Sequence, residues 1–354
     1  MLSRAEDTQG QERTLASLWK DLVCPACRCG LFPASDLPDS LVCYGCFERF
    51  PIVNGIPRLV PETVFDVSGN SNGTSDRDRS LQLKTAASFG FEWTHFSEMY
   101  PEWEANFRDY MFPHFPEFFR GKKILDAGCG IGRHAYYAAL YGADVWAVDI
   151  SDAVEVAARN TRGTGARLIQ ADLNHLPFQV ESFDMVYSMG VLHHLPDPER
   201  AFRYLLRFVK PGGEFRMFLY WAPEAQRLKA LLLKAVSALR KFTVRMPHGL
   251  LYPLSYVAAF LVWTCFVWAY RAFKRIPRLA DLADRVPLRQ YSRYPFRTCV
   301  NDQFDRLSAP LERRYSRDQV EQLLMSAGLE EQNVFPNSGW VACGRKPVSS
   351  DVAA

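Results

Sequence analysis

Residues 124–134, ILDAGCGIGRH, place a carboxylate and three alternating glycines directly after a buried-strand signal. Lys122 and Lys123 lead into the apolar Ile124 and Leu125, Asp126 closes the run, and Gly128, Gly130 and Gly132 precede a helical pattern over residues 133–141. Glycine is needed where a backbone turns tightly and approaches a ligand, because no Cβ stands in the way. The segment therefore reads as a loop that holds a nucleoside-bearing cofactor. A dinucleotide fingerprint is GxGxxG with no acid two residues upstream, whereas the spacing here is DxGxGxG.

The segments that follow fall where a doubly wound parallel sheet needs them. Residues 143–150, ADVWAVDI, read as a second buried strand ending in Asp149. An acid at the tip of the second strand can accept hydrogen bonds from both ribose hydroxyls; the alternative is a helix cap, since Ser151 and Asp152 are also capping types. Residues 167–171 give a third strand, with Asp172 and Leu173 at its end, where a carboxylate and a backbone amide can read an adenine edge. Residues 182–188, SFDMVYS, give a fourth, followed by Met189, Gly190, Val191, Leu192, His193 and His194. Residues 205–213, LLRFVKPGG, read as a helix closed by a Pro-Gly-Gly turn, before a fifth strand at 214–220. Such alternation argues for an α/β fold with a parallel sheet.

DAGCGIG, VDIS, ADLNHLPF, FDMVYSMGVLHHLPDP and VKPGG, in that order across residues 122–219, resemble the type 11 methyltransferase domain of the class I S-adenosylmethionine (SAM) methyltransferases, the group that includes quinone-biosynthesis methylases. The resemblance implies a Rossmann-like, doubly wound, seven-stranded sheet and a SAM-dependent methyltransferase. It also implies that Asp126, Gly128, Gly130 and Gly132 cradle the methionine part of SAM, and that Asp149 takes the ribose. Asp172 and Leu173 would take the adenine and Met189 and Gly190 the floor beneath the sulfonium, with Cys129 and Ile150 completing the set. Ligands of open α/β sheets lie beyond the carboxyl ends of the strands, where all these residues fall.

At 354 residues the chain exceeds one average domain, and its 48% hydrophobic content supports a sizeable core. The first fourteen residues, MLSRAEDTQGQERT, are polar without an apolar stretch, so no secretory signal is expected and a cytoplasmic setting is. Nine cysteines in a reduced compartment point to metal, not disulfides. Cys24, Cys27, Cys43 and Cys46 form CPAC, fifteen residues, then CYGC. Two CxxC knuckles supply four thiolates, the closed tetrahedral set of structural Zn²⁺, with no position left for substrate. The other reading of CxxC is a thiol redox pair, and no thioredoxin-like βαβ pattern surrounds either one. Residues 22–60 resemble the small zinc-ribbon activators of tRNA and protein methyltransferases; Cys29, in CPACRC, departs from a clean four-ligand set. The expected organisation is a zinc ribbon at 18–62, a flexible linker at 63–85 and a methyltransferase domain at 86–346. Phe91, Trp93 and His95 are candidates to cap the cofactor pocket, the alternative being an ordinary helical layer.

A helical, basic and apolar insertion is expected at 222–300. Residues 246–270 carry no formal charge and are long enough for a bilayer core. A single crossing would separate the helix expected at 316–327 and the strands expected at 329–335 and 339–344 from the rest of their sheet, and Pro247 and Pro253 interrupt the run. Residues 220–300 hold fourteen Lys and Arg against three Asp and Glu, although the whole chain is only +3. Arg227, Lys229, Lys234, Arg240, Lys241 and Arg245 precede the apolar run and Arg271, Lys274, Arg275 and Arg278 follow it. Two readings result: peripheral contact of 227–278 with an anionic membrane, at its cytoplasmic face, or a buried lid over the substrate pocket. Both favour a hydrophobic, amphiphilic or lipid-like small-molecule acceptor.

His193 and His194 follow the fourth strand where the acceptor should arrive, and histidine is the natural base near neutral pH; the alternative is that both serve structure. Asp302, Phe304 and Asp305, in the patch 293–314, are candidates for the acceptor-side wall. No NPPY-like motif follows the fourth strand, which counts against the adenine and glutamine N-methylases. The alternative function is RNA base methylation through the ribbon and the basic insertion, against which stands the length of the apolar run between the basic groups. A third is a catalytically silent adaptor, against which stand the intact Asp126, glycines and Asp149.

Overall fold

The computed structural model describes residues 21–34, 37, 39–61, 64, 76–222 and 227–348, with the side chains of 76 and 227–232 left out. The first expected strand is β5 (Lys123–Ala127). Its Ile124 packs into one core and its Leu125 into another on the opposite face, as the two-residue period of a strand requires. β6 (Asp144–Asp149), β7 (Arg167–Ala171), β8 (Phe183–Met189) and β9 (Val209–Leu219) join it in parallel. Helices Glu102–Met111 and Arg133–Leu140 cover one face. Helices Pro198–Leu206 and Arg317–Ser326 cover the other, so the central strands carry apolar residues on both faces.

The expected helix at 205–213 is not formed. Its first two residues end the helix Pro198–Leu206, which starts on the Asp197 cap and Pro198, and its last five begin β9. Val209 pairs with Phe183, the register then shifts before Met185, and Gly213 packs so closely on the Asp184 carbonyl that a Cβ would lie 2.9 Å from it. The glycines serve a strand that bends, not a helix that stops.

β11 (Trp340–Arg345) lies antiparallel to β9 over six residue pairs and β10 (Glu330–Pro336) antiparallel to β11. These strands complete the expected seven and place the chain after the insertion in the same sheet as the chain before it. The ribbon strands β1 (Leu31–Pro33), β2 (Ser40–Cys43), β3 (Arg49–Val53) and β4 (Ile56–Leu59) extend the sheet. The full order is β1-β2-β3-β4-β7-β6-β5-β8-β9-β11-β10. β4 pairs in parallel with β7, the Arg28 guanidinium donates to the carbonyls of Leu176 and Phe178, and Leu22, Leu41, Phe50 and Leu59 enter the main core.

The expected linker at 63–85 is helical in its second part, because the helix Asp76–His95 starts there; apart from Val64, residues 62–75 lie outside the described residues. The insertion is helical as expected. Helix Arg227–Thr243 is followed by His248–Val262, a π-helical turn at Trp263–Val267 and Trp268–Arg275. Pro247 caps this run and Pro253 sits inside it, near enough to its start that only one early backbone bond is lost. Leu251, Ala259 and Val267 pack on Tyr291, Cys299, Val300 and Phe304, the last three from helix Phe296–Ser308. His248–Arg275 is long and apolar enough to cross a membrane by length and composition, yet only 22% of its most apolar window is buried. Part of its surface is open: Leu250, Val257, Phe260, Leu261 and Trp268 are exposed, which the buried-lid expectation does not account for.

Candidate functional site

The loop after β5 folds back over the sheet on three left-handed glycines, Gly128, Gly130 and Gly132. At Gly128 a Cβ would stand 2.5 Å from the Val191 side chain, and at Gly130 it would stand 3.2 Å from the Trp93 indole nitrogen. Two of the glycines thus keep the floor of one cavity clear. Gly132 does something else: a Cβ there would meet Ala157 at 3.0 Å, so it lets two helices pack and does not line the cavity.

Gly128, Cys129, Gly130, Asp149, Ile150, Asp172, Leu173, Met189 and Gly190 all line this cavity at the carboxyl ends of β5 to β8. Asp126 does not. It is 1% exposed beneath the loop, and burial pushes its carboxyl up to about 8, so near neutral pH it is largely a neutral group under the floor. The Asp149 carboxylate fixes the loop, accepting from the Gly130 N–H at 2.9 Å and from the Ser151 N–H and hydroxyl at 2.9 and 2.7 Å. Two carboxylate oxygens hold about four lone-pair sites, so with three used about one remains, on Oδ2, for a ribose hydroxyl. Asp172 is 2% exposed and accepts from Gln82 at 2.8 Å and the Asn174 N–H at 3.1 Å, with the His175 ring 2.7 Å away.

One wall was not legible in the sequence. Gln82, Thr85, Ala86, Phe89 and Trp93 come from one face of helix Asp76–His95 and close the cavity opposite the strand tips. Trp93 therefore lies where expected, but Phe91 and His95 do not. They stack on each other at 3.9 Å, and Phe91 packs on Phe304, about half a turn away from Trp93. Arg133 also lines the cavity, with its guanidinium 4.6 Å from the Trp103 ring.

The two histidines part company. His194 lines the cavity; its Nδ1 is 2.6 Å from the Leu311 carbonyl and must donate there, which leaves the Nε2 lone pair as an acceptor in the neutral ring. His193 is fully buried with both ring nitrogens unpartnered, its ring 4.0 Å from that of Tyr220, and burial keeps it neutral by pulling its pKa well below the usual range.

The ligand atoms of Cys24, Cys27, Cys43 and Cys46 lie within 4.8 Å of one another, with sulfur–sulfur distances of 3.6 Å for Cys24–Cys46 and 3.3 Å for Cys27–Cys43. Tetrahedral zinc with bonds of about 2.3 Å sets its sulfurs about 3.8 Å apart, so the donor set fits. Each knuckle ends on a left-handed residue, Arg28 or Phe47, whose N–H returns to the Cys24 or Cys43 carbonyl. Cys29 is exposed and outside the quartet.

Residues 125–217 match the family described as methyltransferase domain. This segment is a methyltransferase domain. Among curated proteins, the ubiquinone biosynthesis O-methyltransferase of Coxiella burnetii is 32% identical over 133 residues, which is 37% of this chain and 55% of that protein. The methyltransferase GfsG of Streptomyces halstedii is 35% identical over 99 residues, 26% of this chain and 36% of that protein. The chain thus spans about half or less of the length of these relatives. A solved SAM-dependent methyltransferase from Mesorhizobium loti is 34% identical, covering 34% of this chain and 54% of that one, with a TM-score of 0.29. The methyltransferase domain carries every cavity-lining residue from Gly128 to Leu195, while the Gln82–Trp93 wall lies ahead of it.

Proposed function

We propose that the chain is a SAM-dependent methyltransferase that acts on a hydrophobic or amphiphilic small molecule at the cytoplasmic face of an anionic membrane. The observation that carries the reading is the cavity itself: a glycine floor that a Cβ at Gly128 would collide with, and Asp149 at its rim with acceptor capacity to spare. SAM supplies a methyl on a positively charged sulfur, open to in-line displacement. The protein's part is to hold the acceptor atom in line and dry, between Met189 and Gly190 on one side and Phe89 and Trp93 on the other. With Nδ1 held by the Leu311 carbonyl, the Nε2 of His194 is the base we assign to the acceptor's proton. The four ribbon thiolates would hold a structural Zn²⁺ that stiffens the sheet edge. The names of the relatives, one of them an O-methyltransferase of ubiquinone biosynthesis, support a small-molecule acceptor.

The exposed apolar residues of His248–Arg275 support the membrane setting. Lys241, Arg245, Arg271, Lys274, Arg275 and Arg278 flank them and are exposed as well. Basic groups at an anionic surface contribute about 1 kcal/mol each, which suits an interfacial helix. Arg240 takes no part, since it is buried 3.1 Å from Glu312; the side chains of Arg227 and Lys229 lie outside the described set. Calorimetric titration of SAM into the zinc-loaded protein, with and without vesicles of anionic lipid, tests the reading. Saturable SAM binding and co-sedimentation with the vesicles are expected. Absence of SAM binding would refute the enzyme, and retention on RNA without vesicle binding would favour the RNA alternative.

A further inference from the structure

Near Arg133 lies a second polar cluster that the cofactor reading leaves unused. Glu92 belongs to helix Asp76–His95, next to the cavity-lining Trp93, and is 1% exposed. Thr298, Asn301, Asp302 and Asp305 recur at three- and four-residue spacing along helix Phe296–Ser308 and so share one face of it. Burial, then the charges of Asp305 and Asp302, raise the Glu92 carboxyl well above the usual carboxylate range, while Arg133 and Asn301 oppose the rise. Glu92 and that helix face therefore look at each other.

Part of the cluster is satisfied internally. The Tyr220 hydroxyl donates to Asp305 Oδ2 at 2.8 Å, and the Tyr291 hydroxyl donates to Asp302 Oδ2 at 2.7 Å. The remainder is not. Glu92 Oε2, Asn301 Oδ1, Asp305 Oδ1 and Thr298 Oγ1 are buried without a hydrogen-bond partner. Asn301 Oδ1 can only accept, and the two carboxyl oxygens accept most strongly beside a cation that keeps them ionised; an unsatisfied buried polar group costs about 1–3 kcal/mol. A convergent set of orphaned acceptors is the complement of a ligand rich in donors.

The cluster adjoins the cavity without lining it. Tyr220 directly follows β9, and its neighbour on that strand, Phe218, is the side chain nearest to a Cβ built on the cavity-lining Gly190. Arg133 lines the cavity and acts electrostatically on both Glu92 and Asp302.

We propose that Glu92, Asn301 and Asp305 form an acceptor subsite that selects a methyl acceptor whose polar end donates hydrogen bonds, an ammonium or hydroxyl group, and rejects one that ends in a carboxylate. This rests on the neighbouring cavity holding SAM and adds the polarity of the acceptor's head group. Full-length protein saturated with S-adenosylhomocysteine, titrated with octylamine, 1-octanol and octanoate at neutral pH, separates the two. The three probes share a tail and differ only in the head. Octylamine is expected to bind tightest and octanoate at least tenfold more weakly. Glu92→Gln and Asp305→Asn should each weaken octylamine about tenfold, with S-adenosylhomocysteine affinity kept within threefold as the check on folding. If Glu92→Gln does not fold, Asn301→Leu removes an orphaned acceptor from the half-buried side of the cluster and should show the same loss. Equal binding of the three probes, no binding of any, or an unchanged order in the variants would overturn the subsite. Failure of S-adenosylhomocysteine itself to bind would instead remove the cofactor reading and this inference with it.

Discussion

Asp149→Asn isolates the contact that distinguishes a nucleoside cavity from an apolar hole. In the folded protein the Asp149 carboxylate receives three hydrogen bonds from the loop, one on Oδ2 and two on Oδ1. Its remaining acceptor site, on Oδ2, is what a ribose hydroxyl would use. Asparagine keeps the shape but offers one oxygen and one amide nitrogen. The amide nitrogen accepts nothing: at the Oδ2 position it loses the Gly130 bond and the ribose contact, and at the Oδ1 position it loses the Ser151 bonds that hold the carboxylate in place. A hydrogen bond to a charged group contributes about 1.5–3 kcal/mol, and each 1.4 kcal/mol is a factor of ten. SAM affinity should therefore fall about 10- to 150-fold, and further in Asp149→Ala, where every acceptor is removed. Isothermal titration calorimetry reads the affinity, and urea denaturation of the unliganded variant reads the fold. A wild-type affinity for SAM, within threefold, in a folded Asp149→Asn protein would refute the assignment of the ribose to Asp149.

Four further outcomes rest on the same structure. Chelation of zinc should lower the melting temperature of the whole protein in one transition, by something on the order of 10 °C, because the ribbon shares the main core through Leu22, Leu41 and Phe50; two separate transitions, or metal analysis without zinc, would count against it. Asp126 has its pKa raised to about 8 by burial, so between about pH 4 and 8 the native state binds a proton that the unfolded state does not. Stability should therefore fall as pH rises across that window, by up to about 1.4 kcal/mol per unit, and Asp126→Asn should flatten the slope in a series of denaturation curves; an unchanged slope would refute it. Phe260→Glu with Leu261→Glu, at two exposed positions of the apolar helix, should cut co-sedimentation with anionic vesicles at least tenfold while SAM affinity is unchanged; equal sedimentation would remove the membrane reading. Gly128→Ala combines a left-handed backbone at φ 89° with a contact 2.5 Å from Val191, so it should weaken SAM binding at least tenfold, with partial recovery in Val191→Ala; normal binding in Gly128→Ala would show that the floor is not tight.

The strands were legible because each is a short apolar run bounded by charge or glycine. Residues 167–171 and the acids at the strand ends needed nothing from elsewhere in the chain. The helix expected at 205–213 failed for a non-local reason: Val209 to Gly213 are held by pairing with β8, and nothing in their own composition announces it. The Gln82–Ala86 part of the facing wall was hidden for a related reason, since glutamine and threonine there carry no apolar signal that would extend the period of Phe89 and Trp93. Dense aromatics drew attention to Phe91 and His95, yet helical geometry sends Trp93 one way and those two the other. Asp126 and Gly132 belong to the motif's spacing but serve the underside of the loop, a distinction that needs the third dimension. The pairing of β4 with β7, which makes the ribbon part of the catalytic sheet, joins residues more than a hundred positions apart and leaves no local mark.

The central claim, transfer of a methyl group to an amphiphilic small molecule, is tested most directly by incubating the zinc-loaded protein with SAM labelled in its methyl group and a total membrane extract. The account predicts label in the organic-soluble fraction, dependent on the protein and reduced at least tenfold in Asp149→Ala. Label confined to RNA or to protein, or no transfer by a protein that binds SAM, would contradict it.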